Sequence, residues 1–130
     1  MFLNSMNSDE KEAFLELAYK LAQVDGNYSK DEEDIINSYK AELNIKNVGD
    51  TRSVDELIDF FATRNEPVKK IILFELYGMI CADSKIEKSE TEMFDKLKSK
   101  FDVSDEIIKR ITEVADELQT VYDKLYDVLA

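Results

Sequence analysis

The chain has 130 residues, of which 44% are hydrophobic and 35% charged, so it is long enough to bury the core of one domain and too apolar to be disordered. Its 29 acidic and 17 basic side chains give a net charge of −12, which repels nucleic acid and anionic membrane surfaces. The absence of histidine and the single cysteine exclude an intrachain disulfide and a zinc site of ordinary composition.

The first part of the chain predicts two helices separated by a corner. Apolar residues recur at helical spacing from Ser8 to Val24, which predicts the first helix. Gly26 interrupts this pattern. The segment 29–32, Ser-Lys-Asp-Glu, is a capping box, in which the serine hydroxyl and the glutamate carboxylate satisfy free backbone N–H groups. The second helix is therefore expected to begin at this segment.

Four further helical segments follow. A second capping box at Ser53 predicts a short third helix, and residues 66–82 predict a fourth helix with Pro67 in its first turn. The fourth helix is the most apolar segment and is expected at the centre of the fold, where Cys81 would be a small buried side chain. A fifth helix follows a polar break. The last helical region runs from Ser104 nearly to Ala130, as one helix or as two with a break near Asp116.

The chain also carries an internal repeat. A shift of 58 positions superposes identical residue types at several places, among them Asp25 on Asp83, Glu32 on Glu90, Leu15 on Leu73 and Tyr19 on Tyr77. An identical Asp-x6-Glu pattern at both corners favours duplication over chance. We therefore predict a single all-α domain over residues 1–130, a bundle of six to seven helices whose related halves span about 8–64 and 66–130.

The two corners have a recognisable motif. The segment 22–32 reads Ala-Gln-Val-Asp-Gly-Asn-Tyr-Ser-Lys-Asp-Glu, and the segment 81–90 reads Cys-Ala-Asp-Ser-Lys-Ile-Glu-Lys-Ser-Glu. Over roughly residues 8–115 the chain resembles the TerB-like domain of tellurite-resistance proteins. The resemblance implies an all-helical cytoplasmic protein linked to stress or tellurite resistance, with acidic residues that bind a divalent metal and with no established reaction.

The acidic corners are candidate cation sites. Carboxylate oxygens suit hard cations such as Ca²⁺ and Mg²⁺. The candidate ligands are Asp25 and Glu32 in the first corner and Asp83 and Glu90 in the second, supported by Glu33, Asp34 and Glu87. The alternative is structural, since the glutamates would cap helix starts and the aspartates would fix the turns by accepting backbone N–H bonds.

The last helical region predicts an interaction surface. Its apolar residues alternate three and four apart, which is the spacing of helix-on-helix packing, at Ile108, Ile111, Ala115, Leu118, Tyr122, Leu125 and Leu129. A second series, every seven residues, lies beside them at Ile107, Val114, Val121 and Val128. We call these eleven residues the apolar stripe.

This apolar stripe is wider than one packing seam needs. Part of it would therefore remain for a protein partner or for a second copy in a homodimer, with Ile107, Val114, Val121, Tyr122, Leu125 and Val128 as the candidate interface. The alternative is that the apolar stripe only closes the bundle.

The sequence favours a non-catalytic protein outside the membrane. It contains no glycine-rich phosphate loop, nucleophile elbow or Cys–His pair. No segment reaches the roughly 20 apolar residues of a membrane span, and residues 1–6 lack the features of a signal peptide. We expect a cytoplasmic adaptor or stress-response module and no enzyme. The alternative is a pure protein-interaction or oligomerisation module that uses the last helix, with the acidic residues only capping helices.

Overall fold

A computed structural model describes residues 2–24, 26, 28–82 and 88–130, and this part of the chain contains helices and no β-strand. A short 3-10 helix (Leu3–Ser5) precedes six α-helices, which are α1 (Ser8–Ala22), α2 (Lys30–Leu43), α3 (Val54–Ala62), α4 (Glu66–Ala82), α5 (Lys88–Phe101) and α6 (Asp105–Leu129). The predicted all-α fold is confirmed.

Both predicted capping boxes form. At the start of α2 the Ser29 hydroxyl accepts from Glu32 N at 3.1 Å, while Ser29 N donates to the Glu32 carboxylate at 3.3 Å. The same reciprocal pair joins Ser53 and Glu56 at the start of α3. These bonds satisfy N–H groups that have no partner inside the helix, which is why the chain enters each helix at these residues.

The first helix ends earlier than its apolar pattern predicts. The helix α1 stops at Ala22, and Val24 lies in a turn with 39% of its surface exposed. Gly26 follows with a φ of 75°, a left-handed conformation that glycine adopts without strain. The turn at the corner therefore ends α1 before Val24, although Val24 is apolar.

The helix α4 lies at the centre of the bundle, as predicted. It contacts each of the other five helices, and Ile72, Leu73 and Leu76 on it are fully buried. Fully buried aromatic side chains from the surrounding helices complete the core, namely Phe14, Phe61 and Phe101. Burial of such side chains supplies most of the stabilising free energy of a domain of this size.

The first residues are part of the core, which the sequence did not indicate. Leu3 is fully buried and Met6 nearly so. The backbone N–H of Leu3 donates to Glu42 at 3.2 Å, and that of Phe2 donates to Glu75 at 3.5 Å. Two glutamates on neighbouring helices thus fix the entry of the chain into the bundle.

The offset of 58 residues recurs in the helix boundaries. It relates both ends of α2 to both ends of α5, and it relates the start of α1 to that of α4. Each of α2 and α5 is followed by a residue in the left-handed conformation, Asn44 with a φ of 56° and Asp102 with a φ of 52°. These equivalences agree with the predicted duplication, which itself remains a prediction.

The last helix is a single uninterrupted element without a break near Asp116. It has 25 residues, against 17 in α4, the helix on which it mainly packs. Every residue from 119 to 130 is exposed. None of the helices in the described ranges combines the length and the apolar composition that a membrane span requires.

Candidate functional site

The predicted cation ligands fall into two groups. Asp25, Asp83 and Glu87 lie outside the described residues. Glu32 and Glu90 are both almost completely buried, with 1% and 2% of their surfaces exposed. They occupy the third position of α2 and of α5, 58 residues apart. The buried glutamates therefore have equivalent places beside the two corners.

The capping role of Glu32 is confirmed by its bond to Ser29 N. Glu33 and Asp34 are exposed, and Asp34 forms an ion pair with Lys30 at 2.9 Å. Within the ranges that the structure describes, no group of three or more acidic or cysteine side chains could hold a metal ion. The structure therefore does not bring Glu32, Glu33 and Asp34 together as one site.

Aromatic contacts stabilise the first corner. The rings of Tyr19 and Tyr28 meet edge to face, with centroids 5.7 Å apart. Burial raises the pKa of the Tyr28 hydroxyl, and the nearby charges of Glu33 and Glu32 raise it further. Tyr28 is therefore packed on Tyr19 of α1.

The apolar stripe is covered only over its first part. Ile108 is buried against the bundle and Ile107 is half-buried, whereas Val114 is 50% exposed. Beyond Asp116 no hydrogen bond or ion pair of the described residues joins α6 to another helix. We call residues 117–130 the α6 tail, a segment about 20 Å long at 1.5 Å per residue.

Exposed apolar side chains are concentrated on this helix. Among the described residues, nine large hydrophobic side chains are exposed, and seven of them lie on α6, namely Val114, Val121, Tyr122, Leu125, Tyr126, Val128 and Leu129. Five of the six predicted interface residues are in this set, and the sixth, Ile107, packs against the core. The apolar stripe therefore closes the bundle with its first part and leaves the rest exposed to solvent.

An open apolar groove continues the apolar stripe on the bundle. It has a volume of about 540 Å³ and lies between the start of the chain, α4 and α6. Its lining residues are Phe2, Lys70, Ile71, Phe74, Ile107, Arg110, Ile111 and Val114. The half-exposed ring of Phe2 meets Phe74 edge to face at 6.0 Å. The sequence did not predict this groove, because Phe2 and α4 reach it only through the tertiary fold.

Among the described residues, the polar contact of α6 with another helix that lies furthest along α6 is at Asp116. The Tyr77 hydroxyl on α4 donates to Asp116 Oδ1 at 2.9 Å. Cys81 lies one turn further along α4. The prediction that it is fully buried was wrong, since the side chain is half-buried in a surface depression beside Tyr77. Burial raises the pKa of the Cys81 thiol; a hydrogen bond with Tyr77 lowers it in part, and the charge of Asp116 raises it.

A second polar cluster, which the sequence did not indicate, joins α1 to the loop before α3. The carboxylate of Glu16, 2% exposed, accepts from Arg52 N at 3.2 Å and from Arg52 Nε at 3.4 Å. The loop passes so close that a side chain at Gly49 would lie 3.3 Å from Glu16. The one available signal was a glutamate inside the apolar run of α1.

Comparison with profiles of known protein families, with curated proteins and with solved structures finds no match to this chain.

Proposed function

We propose that the protein is a non-catalytic, cytoplasmic interaction module that binds another protein through the exposed part of the apolar stripe. The observation that carries this proposal is the set of seven large apolar side chains exposed on α6. Contiguous apolar surface of this kind is rare on monomeric proteins and is typical of protein-binding sites.

The shape of the surface supports a helical partner. Apolar residues at spacings of three and four along a helix present one face, and a second helix covers such a face with its own apolar residues. Tyr122 and Tyr126 add aromatic area with a polar tip, a type of side chain that is enriched at interfaces. The groove that continues the apolar stripe gives the partner further apolar surface to contact.

Site-specific photo-crosslinking tests this function. A benzophenone amino acid replaces Leu125, in the apolar stripe, or Thr120, on the opposite face of the same helix. Irradiation of cells that contain either variant is followed by mass spectrometry of the crosslinked products. We expect protein crosslinks from position 125 that are absent from position 120. Equal yields at both positions, or none at position 125, would exclude the apolar stripe as a binding surface.

A second candidate function is the binding of a divalent cation at the acidic corners, in a TerB-like stress-response or tellurite-resistance adaptor. Its support is the equivalent burial of Glu32 and Glu90 beside the corners, together with the motif resemblance. Asp25, Asp83 and Glu87 would complete the two ligand sets, with oxygen donors that suit Ca²⁺ or Mg²⁺.

Calorimetric titration with Ca²⁺, Mg²⁺ and Mn²⁺ tests the cation proposal. We expect binding heat in the native protein that is lost in the double variant Asp25→Asn/Asp83→Asn. The Asp59→Asn variant, at an exposed position of α3, serves as the matched control. Absence of heat with all three ions, or equal binding in the double variant, would contradict the proposal.

A further inference from the structure

We propose that the partner of the apolar stripe is a second copy of this chain. The two α6 helices pair antiparallel, so that the α6 tail of each copy lies on the groove of the other. This inference rests on the proposed function and identifies its partner. It is carried by three features, which are the register of the apolar residues of α6, the charge of the groove and the charged residues along one flank of α6.

The apolar register fits an antiparallel pair. The seam consists of two series of apolar residues, each with a spacing of seven. In an antiparallel pair, each residue of one series packs against a residue of the other series on the second helix. We align the two helices so that the α6 tail of each copy is covered by the other. Three different layers of side-chain contact then form, and each occurs twice because the dimer is symmetric. These layers are Leu118 on Val121, Val114 on Leu125, and Ile111 on Val128 of the second copy.

In this register, the side chains that lie beside the seam are also complementary in size. The edge residue opposite Ala115 is Tyr122 of the second copy. A small side chain facing a large one lets two helices approach without a void or a clash. Tyr122, which is 37% exposed in the single chain, would be covered by this contact.

The same register places the α6 tail on the groove. Ile111 and Val114 form part of the groove lining, so the Leu125 and Val128 side chains of the second copy would enter it. Phe2 is 53% exposed at the groove edge and would cover them. Pairing therefore covers exposed apolar surface on both partners.

The charges of groove and tail are complementary. The two charged residues of the groove, Lys70 and Arg110, are both basic. The α6 tail carries three acidic residues and one basic residue. Lys70 forms an ion pair with Glu66 at 3.9 Å, whereas Arg110 makes no ion pair with any described residue. The α6 tail is acidic overall, so its charge is opposite in sign to that of the groove and attracts it at long range.

The charged flank selects the antiparallel direction. Glu117 and Lys124 lie seven residues apart along one edge of the apolar stripe, and neither forms an ion pair within the described chain. In the antiparallel register Glu117 faces Lys124 of the second copy, and this pair also occurs twice. A parallel pair would instead place Glu117 opposite Tyr122 and Lys124 opposite Leu129, which satisfies neither charge.

The strength of the pairing is limited by the overall charge. Each copy carries a net charge of −12, so long-range repulsion opposes the contact. We therefore expect a reversible dimer with a dissociation constant on the order of 10 μM.

Sedimentation equilibrium of the whole chain, with charge-reversed variants, tests the proposal. We expect the native protein to reach twice the chain mass of 15.0 kDa as its concentration rises. The variants Glu117→Lys and Lys124→Glu each place like charges in contact twice, and each should weaken dimerisation about tenfold. An equimolar mixture of the two variants restores opposite charges at both contacts and should dimerise as the native protein does.

Two further variants separate packing from charge. Leu125→Glu buries a carboxylate against Val114 and should weaken dimerisation by about a hundredfold. Thr120→Glu adds the same charge on the opposite face and should leave dimerisation within about twofold of native. Both positions are exposed in the single chain, so circular dichroism should confirm an intact fold in each variant.

The outcomes distinguish this proposal from the proposed function. A native chain that stays monomeric up to about 1 mM excludes the dimer, and crosslinks from position 125 to a different protein would then still support the interaction module. A dimer that both charge variants leave unchanged, or that the mixture fails to restore, contradicts the antiparallel pairing.

Discussion

Glu16 is a residue whose environment departs from what its type suggests. Glutamate is among the residues least often buried, yet Glu16 lies inside the bundle and accepts two hydrogen bonds from Arg52. A buried carboxylate is tolerated when its lone pairs are satisfied in this way. Glu16 thereby fixes the long loop between α2 and α3 onto α1.

We predict that Glu16→Ala lowers the free energy of unfolding by about 2 kcal/mol, because it leaves the Arg52 backbone and guanidinium donors without their acceptor. Urea unfolding measures this loss. Glu12→Ala, on an exposed position of the same helix, should change stability by less than about 0.5 kcal/mol. Equal stability of the Glu16→Ala variant and the native protein would show that the loop is held by other contacts.

The Cys81 thiol gives a second prediction at this scale. Its pKa is raised above the ordinary value of 9.0, chiefly by burial, so a smaller fraction is thiolate at any given pH. Alkylation by iodoacetamide should therefore be slower in the native protein than in urea-unfolded protein at the same pH. The half-maximal rate should lie above pH 9.0. Native alkylation as fast as that of the unfolded chain would contradict the described burial.

The helices α4 and α6 have contrasting places in the fold. Every other helix contacts α4, and most of its apolar residues are buried, among them Ile72, Leu73 and Leu76. By contrast, α6 packs mainly on α4 and extends beyond it. The same residue type thus has different roles on the two helices, because Leu73 fills the core and Leu125 faces solvent.

Matched leucine-to-alanine variants measure this difference. Leu73→Ala removes fully buried methyl groups and should cost about 3 kcal/mol of unfolding free energy. Leu125→Ala should cost less than about 0.5 kcal/mol when the protein is dilute and unpaired. Chemical unfolding at low protein concentration provides both values. A large cost for Leu125→Ala in the dilute protein would mean that the α6 tail packs on its own bundle.

Helix starts were the most predictable part of the elements. The bonds of a capping box lie within four consecutive residues, so the local sequence contains all the information at Ser29 and Ser53. Helical periodicity likewise shows which face of α6 is apolar. It does not show what covers that face, because coverage depends on the length of α4 and on how far α6 extends past it. The groove beside Phe2 was unpredictable for the same reason.

At the scale of the whole molecule, the bundle and the α6 tail are separable parts. The core is formed by the first residues and by all six helices up to about Ile108. Residues beyond Asp116 contribute no buried side chain and no described polar contact with another helix. The acidic corners show the limit of sequence reasoning at this scale. Their repeat was visible from identical residues, whereas the buried position of Glu32 and Glu90 required the fold.

Removal of residues 118–130 should therefore leave the bundle intact. We predict that the shortened chain unfolds cooperatively, with a midpoint temperature within about 3 °C of the native protein at low concentration. It should also lose dimerisation. Differential scanning calorimetry and sedimentation provide the two readings. Loss of cooperative unfolding would show that the α6 tail is part of the folding unit.

The most direct test of the account is amide hydrogen exchange of the α6 tail as a function of protein concentration. In dilute protein, amides of residues 117–129 should exchange orders of magnitude faster than those of α4, because the exposed helix opens locally without unfolding the core. Their exchange should slow as concentration rises and the second copy covers the apolar stripe. Slow exchange of the α6 tail in dilute, monomeric protein, equal to that of α4, would contradict the claim that this surface is free to bind a partner.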